Sequence, residues 1–94
     1  MAEEPWQVQG EMIGFAVGQI LREARKGKGH TQEEVAWLAG ISQAMLSHIE
    51  SGNRNVRLNV VTLYKVAKAV GIRSLSQLME MAESEASNDL DRSA

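Results

Sequence analysis

The window from Thr31 to Gly52, TQEEVAWLAGISQAMLSHIESG, constrains this chain more than any other stretch. Thr31 with Glu34 three residues on forms a capping box, and Val35, Leu38 and Ala39 give an apolar stripe that stops at Gly40. That predicts a short helix. Ser42 can cap another, Gln43 to Ser51, with Leu46 and Ile49 inward and Gly52 as its left-handed terminator. Only Gly40, Ile41 and Ser42 lie between them, the arrangement in which the second helix can enter a DNA major groove. The spacing is demanding. Ala36 must be small where the helices cross, Gly40 must accept positive φ, and Val35, Ile41, Leu46 and Ile49 fix the inter-helix angle by burial.

The flanking sequence continues the helical pattern. From Glu11 to Lys26, Ile13, Val17, Ile20, Leu21 and Ala24 recur at steps of three and four, and Gly27 and Gly29 end the run. Gly14 and Gly18 each weaken that helix by about 1 kcal/mol relative to Ala, so it needs tertiary packing or a close partner there. Asn59 caps a fourth helix bearing Leu63, Val66, Ala67 and Val70, closed by Gly71. Ser74 with Gln77 opens a fifth, through Leu75, Leu78, Met79 and Ala82. Val56 to Val61 is locally ambiguous, but no alternating strand pattern survives. The expected fold is all-α with five helices. Its expected organisation is an N-terminal extension over 1–10, a domain over 11–83 and an acidic, flexible tail over 84–94.

Composition narrows the function. Ninety-four residues make one small domain, and 44% hydrophobic residues with a single Pro suffice for a core. The absence of Cys excludes disulfides, thiolate zinc and a Cys nucleophile. His30 and His48 do not fill a metal shell by themselves, so neither metal nor cofactor is expected. No apolar run approaches membrane-spanning length, and the acidic Glu3 and Glu4 do not suit a signal peptide, which points to a cytoplasmic protein. The net charge of −2 argues against nucleic acid only until it is located. Residues 22–73 carry +5 and the ends carry −7. The middle is basic.

Three stretches, LREAR, TQEEVAWLAGISQAMLSHIESG and TLYKVAKAVGI, make the sequence between Leu21 and Leu78 resemble the lambda repressor/Cro family of XRE-type regulators. The chain departs from that family between Glu50 and the fourth helix, where it carries about two extra residues and Val56 stands where many members have Pro. The resemblance implies a lambda-repressor-like domain whose third helix reads DNA. Gln43, Ala44, Ser47 and His48 would meet base edges. A Gln amide matches adenine N6 and N7, and Ala44 suits a thymine methyl. Gln32 would reach a phosphate and brace Gln43, Ser42 would cap the helix or bond phosphate, and Arg54, Asn55 and Arg57 would meet the backbone. Lys28 would hold the other flank. The family packing also implies a buried ion pair between Arg25 and Glu50.

One helix-turn-helix contacts too few bases to select a genomic site, so a homodimer on a two-fold operator is expected. Trp6, Leu75, Leu78 and Met79 are the candidate dimer contacts, and Trp37 suits either the core rim or a partner. The expected function is a sequence-specific DNA-binding transcriptional regulator, acting as a repressor. The alternative is an antitoxin-like or complex-subunit module that binds a partner protein through the acidic tail or the Trp-bearing surface. An enzyme is not expected: Ser42, Ser47, His48 and Glu50 are triad residue types, but on one short helix they diverge.

Overall fold

A computed structural model describes the backbone of residues 5–52 and 59–93, and the side chains of 10–52 and 59–88. Among these residues the chain forms helices only: α1 (Pro5–Gly27), α2 (Gln32–Ala39), α3 (Gln43–Ser51), α4 (Val60–Ala69) and α5 (Leu75–Ser93). Leu21, Val35, Leu46, Ile49, Val66 and Leu78 are its largest fully buried side chains, and each helix contributes at least one of them. α1 packs on both α3 and α5, while α2 packs on α3 and α4.

Local chemistry sets the ends of the helix-turn-helix. Thr31 Oγ1 accepts from the Glu34 N–H at 3.1 Å while the Thr31 N–H donates to Glu34 Oε1 at 3.1 Å, a complete capping box. Ser42 Oγ accepts from the Met45 N–H at 3.0 Å and so starts α3. Gly40 and Gly52 take φ of 69° and 70°, the left-handed conformation that ends α2 and α3 without a Cβ penalty. Asn59 caps α4 through the Thr62 N–H. Ser74 Oγ accepts from the Gln77 N–H, but Gln77 Oε1 reaches back to the Arg73 N–H rather than to Ser74, a shifted form of the expected box.

The two long helices exceed their sequence expectation. Residues 5–10, read as an extension, belong to α1: Pro5 suits the first helical position, where a missing N–H loses no partner. Residues 84–93, read as part of a flexible tail, continue α5, because the Leu78 and Ala82 spacing extends to Ala86, which is 3% exposed. Leu38 is half exposed rather than part of the α2 stripe, which Val35, Ala36 and Ala39 form instead. Eight residues leave room for only one narrow buried face.

Candidate nucleic-acid interface

Helix α3 divides by its periodicity. Leu46, Ile49 and Glu50 are buried, whereas Gln43, Ala44, Ser47 and His48 are exposed on the other side. Spacings of three and four residues put those four side chains on one continuous face. Ser42, also exposed, stands at the N-terminal edge of that face with its hydroxyl engaged in the cap. Met45 is at the exposed margin, 38% accessible.

The inner side of α3 is held to α1 in two ways. At Gly18 the backbones approach so closely that a Cβ would run into the Ile49 carbonyl oxygen, with Glu50 O also only 3.2 Å away. The glycine that costs helix stability is therefore the residue that permits this contact. Near the other end, Arg25 Nε donates to Glu50 Oε2 at 2.7 Å and Arg25 Nη2 to Glu50 Oε1 at 3.0 Å, a two-point pair with both side chains buried. The remaining Arg25 Nη1 donates to the His30 carbonyl at 2.9 Å. Hydrogen bonding to Glu50 holds the Arg25 guanidinium above its ordinary range, against the opposing effect of its burial.

Gln32 joins this network, donating from Nε2 to Glu50 Oε1 at 3.0 Å. The resemblance would have it brace Gln43. Its amide nitrogen here helps satisfy a buried carboxylate that has left water, and no buried side-chain nitrogen or oxygen is left without a partner among the described residues. The end of Lys28 lies against Gly71 in the α4–α5 turn, where a Cβ would meet its Cε and Nζ. Arg54, Asn55 and Arg57 lie outside the described residues, as does the path of 53–58.

The dimer candidates divide as well. Leu78 is 0% exposed, so it belongs to the monomer core and offers no surface for a second chain. Its i+4 partner Ala82 is equally buried, which makes that stripe the seam of α5 with the rest of the fold. Leu75 and Met79 are half-buried against the same core, and the Trp6 side chain is outside the described set. Among the described residues, large exposed apolar side chains include Trp37 at 81% on α2, Val60, Val61 and Tyr64 on α4, Phe15 on α1 and Met81 on α5.

Of the two glycines expected to mark a close approach, Gly18 meets the α3 backbone, whereas nothing lies within 4 Å of a Cβ at Gly14. Sequence reasoning missed a contact that periodicity does not encode: Phe15 packs on Gly52 at the exit of α3, where a Cβ would lie 2.7 Å from its ring. Among the described residues no helix is long and apolar enough to cross a membrane.

Comparison with known proteins agrees with this geometry. The helix-turn-helix family model matches residues 21–78. The HTH-type transcriptional regulator y4dJ of Sinorhizobium fredii (strain NBRC 101917 / NGR234) is 46% identical over 56 residues, which is 60% of this chain and 70% of that protein.

Proposed function

Because this chain belongs to the helix-turn-helix family of lambda repressor/Cro type, we propose that it is a DNA-binding transcriptional repressor that reads a two-fold operator as a homodimer. The observation that carries this reading is the face of Gln43, Ala44, Ser47 and His48, exposed on a helix whose opposite side is fixed by Leu46, Ile49 and the Arg25–Glu50 pair. A reading helix must present its side chains in one register, and that register is set from behind. Gln43 reads adenine, Ala44 meets a thymine methyl, and Ser47 and His48 extend the contact along the groove. Gln32, Ser42, Lys28, Arg54, Asn55 and Arg57 bond phosphates and fix the docking position without reading sequence.

The second copy would dock through the exposed apolar surface of α2 and α4. Exposed Glu33 on α2 and Lys65 on α4 give that surface opposite charges on its two helices, which a two-fold axis can set against each other. The triad residue types have other work: Ser42 Oγ caps α3, and Glu50 is committed to Arg25 and Gln32. This supports a non-enzymatic role, performed in the cytoplasm where the operator lies.

Selection of bound DNA from a random pool, followed by footprinting over a range of salt, tests the proposal. It expects a two-fold consensus and an affinity that falls steeply with salt. Recovery of no consensus, with flat salt dependence, would overturn it.

A further inference from the structure

On the flank of α1 away from α3, helices α1 and α5 leave an open groove of about 630 Å³. Its floor is apolar, made by Ile20, Ala24 and Met81, and its rim carries Glu23, Glu80 and Glu85. No Lys or Arg is among the described lining residues. Ile20 is buried, but Met81 is 40% exposed, an accessible and unbranched side chain able to repack around an incoming one. The α5 wall of the groove lies beyond residue 78, where the family match ends.

We propose that this groove docks a cationic segment of a partner protein, with an aliphatic side chain on the Met81, Ile20 and Ala24 floor and flanking Lys or Arg against the three carboxylates. Charge complementarity selects this occupant. DNA and anionic lipid are repelled by the rim, and an acidic segment would set like charges together as the floor was desolvated. A second copy is disfavoured by where this chain keeps its cations. Lys28, Arg54 and Arg57 are assigned to phosphates and Lys65 to the dimer surface, so self-docking through them would compete with the operator or with dimerisation, whereas a separate basic protein would not. An apolar anchor between cations fits the size and polarity of the site better than either alone, because the floor supplies burial and the rim supplies orientation.

The test uses the whole chain without DNA, so its outcome is independent of the operator reading. A synthetic amphipathic peptide with Lys on one face and Leu on the other is titrated against protein carrying labelled methionine methyl groups. A peptide of equal charge with Ala in place of Leu is run in parallel. The proposal expects the Lys/Leu peptide to shift the Met81 methyl signal and to bind about tenfold or more tightly than the Lys/Ala peptide. The Glu80→Lys/Glu85→Lys protein and the Met81→Ser protein, with helix content and melting unchanged, should each lose about tenfold in affinity. Equal binding of the two peptides would reduce the site to diffuse negative charge and overturn the proposal, as would a Met81 signal that does not move. A Met81 signal that shifts with protein concentration alone would make the occupant a second copy, and would equally overturn it.

Discussion

On one flank of α1, Gly18 lets the helix rest against the backbone of α3 and Arg25 grips Glu50. On the other, Ile20 and Ala24 border an open groove whose far wall is α5. At about 100° per residue, the two sets lie on opposite sides of the buried Val17 and Leu21 stripe. The first flank uses direct backbone contact and a buried polar network, both intolerant of small changes in geometry. The second uses apolar packing with its charges left at the solvent. The close backbone contact and the buried ion pair thus stand behind the helix that carries Gln43, and the open groove lies on the opposite side.

The largest effect is expected from breaking the ion pair. Arg25→Ala leaves a buried Glu50 carboxylate with, among the described residues, only Gln32 as its side-chain partner, and should cost about 3–5 kcal/mol in thermal or denaturant unfolding. A variant that melts within a degree or two of the parent would mean that the pair is worth no more than a surface contact. The glycines sharpen the comparison because their signs should differ. Gly18→Ala forces its Cβ into the Ile49 carbonyl and should destabilise by about 1–3 kcal/mol. Gly14→Ala, with nothing within 4 Å of the added carbon, should stabilise by about 0.5–1 kcal/mol through helix propensity alone. Equal effects at the two positions would remove the close α1–α3 contact from the account.

A smaller effect is expected at the α2 cap. The Thr31 N–H, then the His30 side chain at 3.2 Å, hold the Glu34 carboxyl below the ordinary glutamate range. A depressed folded value means the contribution is fully present above the ordinary value of about 4.3 and is lost as pH falls through the folded value. Glu34→Ala should therefore lose stability relative to the parent near neutral pH, with the gap closing in acid. A gap that stayed constant into acid would show that the charged cap contributes nothing.

Much of this was legible in the sequence because it is local. Thr31 and Glu34, Ser42, Asn59, Gly40 and Gly52 act through their own backbone within a few residues, so their roles in capping and turning could be read directly. The inward residues Leu46, Ile49 and Val66 followed from helical period. What escaped was long-range or compositional. The 84–94 segment looked like a tail because it is acidic, yet burial of Ala86 depends on spacing rather than on overall polarity. Leu78 was assigned to a dimer face because an apolar stripe does not say whether its partner is the same chain. The bond from Gln32 to Glu50 was not legible because it depends on where the fold places the buried carboxylate.

The central claim is that the face fixed from behind by this network reads bases. The direct measurement is the affinity of Gln43→Ala for the selected operator and for unrelated DNA, in a protein whose melting is unchanged. The account predicts a loss of about 1–3 kcal/mol at the operator, relaxed preference at one base position in each half-site, and nearly unaltered non-specific binding. Intact operator affinity with the same selected sequence would contradict it.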